Sequence, residues 1–267
     1  IITEKFRAHN ANQFFESFTE ASGNTYYLMI GKATAFSSGT SGGTDDSPPT
    51  PADDISSEFY TWDSSIAAKK IASSNITYAI PRRDWANGTI YDMYEDNISS
   101  SNATTSGATN IFDSTFFFRT SDNRVYKVLD NNSGTAYSGA EPTSESTSTF
   151  VLGGYTLKYM YSITASEQAT FLTTDFMPVS TDTTVNSAAV DGSINSIIVT
   201  NTGSSLTNGT YYAAVYGDGT SQGTSSGAIV KITVASNVIS AVSTGNTGIQ
   251  QAGAGYTFGT VNLGSGF

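Results

Sequence analysis

Few side chains in this sequence can support catalysis. His9 is the only histidine and there is no cysteine, so a Ser-His-Asp triad would have to use His9. The lack of cysteine excludes disulfides, thiolate metal sites and a thiol nucleophile. Too few imidazole ligands remain for a histidine-based zinc or iron site. We interpret His9 as a partly exposed helix residue and predict no metal site.

Paired carboxylates are the next candidates, because glycosidases use two of them. Asp92, Glu95 and Asp96 lie close in sequence, as do Glu141 and Glu145. Catalytic pairs usually come from separate strands, whereas carboxylates a few residues apart usually point to solvent. The glycine-rich stretch 217–223 lacks the lysine of a phosphate-binding loop, and no aspartate-glycine pair extends into a calcium loop. The sequence therefore predicts no catalytic residue, no cofactor and no enzyme.

One short motif concentrates charge in a chain that has little of it: Ile80-Pro81-Arg82-Arg83-Asp84-Trp85. Pro81 ends the preceding strand because it has no backbone donor. The guanidinium forks of Arg82 and Arg83 can hold carboxylates or carbonyls, and Asp84 can pair with one of them. Trp85 offers a large amphipathic face. The motif is either a rigid turn that organises its own domain or an interface anchor, since Arg and Trp are frequent at binding hot spots.

The composition favours a β-rich protein and disfavours nucleic acid and membranes as its partners. Only 13% of residues are charged, against about 25% in an average protein. The net charge of −11 disfavours nucleic acid and anionic membranes as partners. No stretch approaches the roughly 18 apolar residues of a membrane helix. Aromatic residues make up 12% of the chain, which favours strands and interfaces.

Hydrophobic spacing gives the elements that position these residues. It predicts a first helix around Phe14 and Phe18, and a second one from Ile55 through Lys70. Strands are predicted at 26–30, 76–80, 116–118, 124–129 and 155–163. The strands 116–118 and 124–129 read as a hairpin across the turn 121–123, and the last strand has its alternate residues on one face. The polar stretches 37–51, 97–110 and 141–149 read as exposed loops that serve contacts with other proteins.

After about residue 178 the sequence nearly loses its charge and contains a weak repeat. Ile194, Ile197 and Tyr211 recur as Ile239, Val242 and Tyr256, each pair 45 residues apart (194 and 239, for example). Residues 228–234 and 238–243 read as a hairpin. The pattern predicts two domains: 1–178, a β-sandwich region with two helices, and 181–267, a β-repeat module that we expect to continue beyond this chain.

Several motifs, in order, resemble one protein family. They are Thr3-Glu4-Lys5-Phe6-Arg7, Tyr27-Leu28-Met29-Ile30-Gly31-Lys32, Trp62, the Pro-Arg-Arg-Asp-Trp block, Tyr126-Lys127-Val128-Leu129-Asp130 and Lys158-Tyr159-Met160-Tyr161. Over residues 1 to about 178 the chain resembles the dimeric baseplate wedge subunit of T-even-type contractile-tailed bacteriophages. The module from 181 onward departs from that pattern and resembles β-repeats of related marine cyanobacterial phages.

The resemblance implies a structural role with no catalysis and no cofactor. The family's subunits pair as homodimers, join other baseplate wedge proteins and rearrange when the tail sheath contracts. This implies a location in the virion tail baseplate after assembly in the host cytoplasm. Together with the composition it predicts a mainly β fold with a few helices (α+β), built as a β-sandwich-type core and a C-terminal module.

Two alternatives remain open. A receptor-binding tail protein or adhesin would bind host glycan through the 181–267 module, with Tyr211, Tyr212 and Tyr256 stacking on sugar rings. A polysaccharide-degrading tailspike would use carboxylates such as Glu95, Asp96, Glu141 and Glu145.

Overall fold

The computed structural model describes residues 4–20, 24–31, 44, 47, 55, 62, 65–95, 97–197, 199–217, 226–241, 248–261 and 263. The chain divides into two compact units, Ile1–Thr77 and Tyr78–Phe267. The described strands pair antiparallel in several sheets, accompanied by a few short helices. The predicted mainly β, α+β class is therefore confirmed. The β-sandwich arrangement stays a prediction.

The first unit contains a helix and a two-stranded ribbon. Its elements are α1 (Glu4–Glu16), β1 (Tyr26–Gly31), β2 (Ser65–Ile71) and a 3-10 turn (Ser73–Asn75). The predicted first helix is confirmed, and the Phe14 ring on α1 packs edge-on against Tyr26 at a centroid distance of 5.5 Å. Strands β1 and β2 pair antiparallel, with Leu28 opposite Lys69.

The second predicted helix is wrong over its last residues. Ile55 and Trp62 are helical, but Ser65–Ile71 form strand β2. The alanines and lysines of this segment suit a helix in isolation. Pairing with the β-prone sequence of β1 gives the backbone of these residues hydrogen-bond partners and overrides that local preference. The strand predicted at 76–80 likewise begins only at Ala79.

The second unit is built from short strands and two helices. In chain order they are β3 (Ala79–Pro81), β4 (Phe117–Arg119), β5 (Arg124–Asp130), β6 (Phe150–Leu152), β7 (Tyr155–Ser162), α2 (Ala165–Phe171), β8 (Phe176–Pro178), α3 (Thr183–Ala188), β9 (Gly209–Ala214), β10 (Tyr216–Gly217), β11 (Ser226–Ala235), β12 (Val238–Ala241), β13 (Ile249–Ala254) and β14 (Gly259–Thr260). One sheet has the order β4-β5-β7-β6, and β3 pairs with β8. Strand β11 pairs with β9, β12 and β13, and β10 pairs with β14.

Aromatic residues fill the core around the sheet β4-β5-β7-β6. Strand β7 is present as predicted, and Tyr155, Leu157, Tyr159, Tyr161 and Ile163 are all buried. The prediction that they share one face is wrong, because a register shift places Tyr159 opposite Tyr126 but Tyr161 opposite the neighbouring Val125. These residues pack in two clusters with apolar residues of β4 and β5. Alternation identified the strand because its residues up to Tyr159 place every second side chain on one face, and the irregularity that follows depends on pairing with β5.

Both predicted hairpins are present. Strands β4 and β5 pair across a turn in which Asn123 has φ +64°. Strands β11 and β12 pair across Ser236 and Asn237, with φ values of +57° and +64°. Two successive positive φ values match a hairpin turn whose twist suits the flanking strands.

The C-terminal region has a core of its own within the second unit. Val215, Ala228, Val230, Ile232 and Tyr256 are buried together, and the repeat residues Ile194, Ile197 and Ile239 pack against them. Tyr211, the repeat partner of Tyr256, lies instead on β9. The repeat thus predicted some of the core positions. The domain division near residue 178 stays a prediction, and the chain on both sides of it lies in the second unit.

Candidate functional site

Backbone hydrogen bonds hold the Pro81–Trp85 motif on both sides. Pro81 ends β3 opposite Phe176 of β8, and the amide of Arg82 donates to the carbonyl of Asp175 at 2.7 Å. On the other side, Arg119 of β4 donates its amide to Arg83 O at 2.7 Å and accepts from the amide of Trp85 at 2.8 Å. The motif therefore bridges two sheets of the second unit and is not a free loop.

The carboxylate of Asp84 joins two guanidinium groups. Its Oδ2 lies 2.8 Å from Arg82 Nη2, and its Oδ1 lies 2.7 Å from Arg119 Nη2. The same guanidinium groups reach further, because Arg82 Nη1 donates to Thr173 O at 3.0 Å and Arg119 Nη1 donates to Asn123 Oδ1 at 2.5 Å. We call Arg82, Asp84 and Arg119 the arginine–aspartate cluster.

The electrostatics of this cluster indicate a fixed charge. Partial burial alone would raise the pKa of Asp84, but hydrogen bonds from Arg82 and Arg119 outweigh it and lower the pKa below its ordinary value. The hydrogen bond with Asp84 raises the pKa of Arg82. A carboxylate that stays ionised between two arginines is a poor proton donor near neutral pH. The arrangement suits holding elements together.

Arg83 points away from Asp84 and holds a loop. Its Nη2 donates to the carbonyls of Phe112 and Asp113 at 3.0 and 3.1 Å. Its Cζ lies 5.4 Å from the centroid of the Phe117 ring. Its Nε is buried and has no hydrogen-bond partner among the described residues. Arg83 thus fixes the end of the 97–113 segment against β4.

Trp85 points into the aromatic core. The centroid of its ring lies 5.8 Å from that of Tyr137, at an interplanar angle of 88°. The ring also packs against the buried cluster of the sheet β4-β5-β7-β6. Its Nε1 is buried with no partner in the described part of the chain. Both Arg83 and Trp85 are therefore engaged inside the unit, whereas Asp84 keeps 47% of its side chain exposed.

Sequence reasoning missed Arg119, which is 35 residues from Asp84 in the chain. The one available signal was a charged residue directly after Phe116, Phe117 and Phe118. A charge at the end of an apolar strand needs a partner when it is buried. Nothing local identifies that partner, because the contact depends on how β3 and β4 meet.

The carboxylates considered for catalysis instead stabilise loops. Asp92 is fully buried, so the expectation that it points to solvent is wrong. Its carboxylate accepts hydrogen bonds from the amides of Ser106 and Thr115 at 2.7 and 2.8 Å and from two serine hydroxyls. Burial raises the pKa of Asp92, but these bonds outweigh it and lower the pKa overall. Because the acceptor is fully bonded, it can be buried and ionised.

The other candidate carboxylates have separate partners. Glu95 accepts from Asn102, Glu141 accepts from the amide and hydroxyl of Ser121, and Glu145 forms an ion pair with Arg124. Asp96 lies outside the described residues. His9 is exposed on α1, as predicted. Within the described ranges, no group of three or more His, Cys, Asp or Glu side chains could hold a metal ion.

The predicted sugar-stacking tyrosines do not form one surface. Tyr256 is buried, and its hydroxyl donates to Val215 O at 3.2 Å. Tyr211 is half-buried and donates to Thr207 O at 2.8 Å. Only Tyr212 of these three is largely exposed, at 62%. Among the residues that the structure describes, no helix is long and apolar enough to cross a membrane.

Comparison with known proteins gives one family. A family model described as Phage-Gp8, Bacteriophage T4 Gp8, matches residues 1–140. The matched range includes α1, the ribbon of β1 and β2, the whole arginine–aspartate cluster and strands β3 to β5. A search of curated proteins finds no match.

Proposed function

This chain belongs to the bacteriophage T4 Gp8 family, a family of structural baseplate wedge proteins, and on that membership we propose that it is a structural subunit of a phage tail baseplate wedge. The observation that carries the proposal is the family match over residues 1–140 of the 267. In finer detail, we propose that the subunit forms homodimers and links neighbouring wedge proteins. It takes part in baseplate assembly in the host cytoplasm and in the rearrangement on sheath contraction.

Exposed apolar side chains in the first unit support an assembly role. Tyr27, Leu28, Met29 and Ile30 of β1 and Ile66 of β2 are exposed, by 64, 54, 38, 57 and 62%. We call these five residues the apolar ribbon. A two-stranded ribbon is marginally stable in water by itself. The four residues of β1 are consecutive, so their side chains alternate between the two faces of the ribbon. Apolar surface exposed in this way usually marks a protein–protein contact, and permanent complexes bury about 2,000 Å² or more.

Charge substitutions on the apolar ribbon test the assembly role. We expect Leu28→Glu combined with Ile66→Glu to abolish dimer formation and incorporation into baseplates, because an interface would have to bury two unpaired carboxylates. Analytical ultracentrifugation gives the mass in solution, and particle yield in an infection complemented with the variant gives incorporation. Circular dichroism checks that the variant is folded.

Val151→Glu is the matched control, since Val151 is a strand residue of the second unit with 71% exposure. It should leave both mass and yield unchanged. Wild-type mass and yield in the ribbon variant would remove the ribbon from the proposal. A wild-type chain that never enters purified baseplates would contradict the wedge function itself.

We further propose that Pro81, Arg82, Arg83, Asp84 and Trp85 act as an internal brace of the subunit. The supporting contacts are the two-sided backbone bonding, the arginine–aspartate cluster and the inward orientation of Arg83 and Trp85. A brace of this kind keeps the subunit's shape while force passes through it. By resemblance, the region from 181 onward is the cyanophage-like part of the protein.

A further inference from the structure

A cleft in the second unit has walls of polar and apolar residues and one ammonium group. Its volume is about 810 Å³, and it lies between Lys127 and Leu129 of β5 and the core of the C-terminal region, including Val230, Ile232 and Ile239. We call it the lysine cleft. Pockets that bind small molecules typically measure about 300–1,000 Å³ and are mostly apolar with a few polar groups. The lysine cleft has this size, and polar and apolar residues line it in about equal measure.

Two lysines face each other next to this cleft. Lys127 of β5 and Lys158 of β7 are directly opposite in the antiparallel register, and both are half-buried. Lys127 Nζ lies 3.3 Å from the centroid of the Tyr94 ring, and Lys158 Nζ donates to Asn195 Oδ1 at 3.4 Å. Like charges directly opposite on neighbouring strands destabilise a sheet.

No carboxylate compensates these two lysines among the described residues. The salt bridges there belong to Arg82, Arg119 and Arg124, although the chain has 23 acidic residues. Glu95 also lines the lysine cleft, but its Oε2 accepts from Asn102 Nδ2 at 2.9 Å. The aromatic face of Tyr94 stabilises a cation from one side and leaves the other donors of the ammonium unbonded.

The protonation of Lys127 reflects this environment. Burial, and then the neighbouring charge of Lys158, lowers the pKa of Lys127 to about 8. Burial also lowers the pKa of Lys158. A partly buried cation without a counter-ion costs stability, and such groups concentrate at binding and catalytic sites. An anion in the cleft would remove this cost.

We propose that the lysine cleft is a binding site for a carboxylate carried on an apolar body. The carboxylate would pair with Lys127 Nζ, while the apolar part would contact the half-buried Ile194, Ile197 and Ile239 of the lining. This ligand chemistry occurs in medium-chain carboxylic acids and in polypeptide segments that carry Glu or Asp between apolar residues. The inference does not depend on the wedge function.

Octanoate is the first probe, and octanamide is its neutral isostere. We expect octanoate to bind the full chain in isothermal titration calorimetry at least tenfold more tightly than octanamide, because a charge-assisted bond is lost in the amide. Lys127→Met should lower octanoate affinity at least tenfold. Lys70→Met, an exposed lysine of β2, is the matched control and should bind as wild type.

Lys127→Met should also raise the melting temperature of the ligand-free protein by a few degrees, since it removes a poorly compensated charge. Weaker binding in a more stable protein cannot result from misfolding. The proposal is overturned if octanoate does not bind, if octanoate and octanamide bind equally, if Lys127→Met binds as wild type, or if Lys127→Met loses binding together with stability.

A last comparison separates the two sources of the ligand. An acetylated Leu-Leu-Glu-Leu-Leu peptide is titrated beside octanoate, with Gln in place of Glu as its control. Tighter binding of the Glu peptide than of octanoate would indicate a protein segment as the natural occupant. Tighter binding of octanoate would indicate a free amphiphile. Both results support the carboxylate site.

Discussion

Within the second unit, the charge of Asp84 is compensated by two arginines, whereas the charge of Lys127 has no described counter-ion. Asp84 accepts bonds from two guanidinium groups that join β3, β4 and the segment around Thr173. Lys127 is more buried than Asp84 and has no described counter-ion. The pairing of Arg82 with Asp84 was predictable from their spacing in a low-charge sequence. Arg119 was not predictable, because its contact with Asp84 depends on the tertiary approach of β4.

Removing the charge of Asp84 should destabilise the protein. In Asp84→Asn the side chain keeps its shape, but Arg119, with a side-chain exposure of 10%, loses its carboxylate. Since Asp84 is about half exposed, we expect a loss of about 1–2 kcal/mol in the free energy of unfolding, below the roughly 3–5 kcal/mol of a buried pair. Urea denaturation at pH 7 measures it.

Asp122→Asn is the control, because Asp122 pairs with Arg124 but is 65% exposed; it should cost less than about 0.5 kcal/mol. The lowered pKa of Asp84 also sets a pH dependence. The stabilisation is present above the unfolded-state pKa of about 3.9 and is lost as the pH falls through the lower folded-state pKa. The difference between wild type and Asp84→Asn should therefore shrink in acid. Equal losses in the two variants would contradict the cluster's role.

Lys127 should give a pH dependence of the same sign at high pH, although its charge destabilises the folded protein whereas that of Asp84 stabilises it. Its pKa is about 8 when folded and about 10.4 when unfolded, so between these values the unfolded chain binds more protons. The free energy of unfolding therefore rises with pH in this window, while below about pH 8 the full cost of the buried charge is present. The stability advantage of Lys127→Met should be large at pH 7 and smaller at pH 9.5, as measured by urea denaturation. A constant advantage would show that the lysine does not titrate as stated.

At the scale of elements, alternating strands and hairpins joined by short turns were predictable, and pairing partners distant in the sequence were not. The β4–β5 and β11–β12 hairpins and β7 follow from local alternation and turn residues. Strand β2 did not follow, because Ser65–Ile71 reads as a helix until β1 pairs with it. Likewise Asp92 belonged to a carboxylate group expected in solvent, and only the return of the 104–115 segment buries it. Local patterns specify an element's type better than its neighbours.

The turn between β6 and β7 depends on a glycine. Gly153 has φ +61°, and a Cβ there would lie 2.6 Å from the Tyr137 ring, which is fully buried in the core. Gly153→Ala should cost about 3 kcal/mol, from strain at a positive φ plus overpacking. Gly88→Ala, also at positive φ but with no atom within 4 Å, should cost only about 1 kcal/mol. Thermal unfolding of both variants measures the difference, and equal costs would show that Tyr137 can move away.

At the scale of the whole molecule, the family assignment rests on residues 1–140. The lysine cleft also includes residues beyond that range. The first unit exposes the apolar ribbon, while the second contains the brace and the lysine cleft. The family was predictable because several short motifs of the sequence occur in the same order as in that family. The lysine cleft was not predictable, because Lys127 and the residues around Ile239 lie about 110 positions apart and meet only in the folded unit.

The pairing of β3 with β8 has a consequence for synthesis on the ribosome. The two strands are separated by about 100 residues, so the brace cannot close until Pro178 has left the exit tunnel, and contacts this distant in sequence form slowly. Strands β1 and β2 are both translated well before that moment. A nascent chain therefore contains both strands of its apolar ribbon while its second unit is still incomplete.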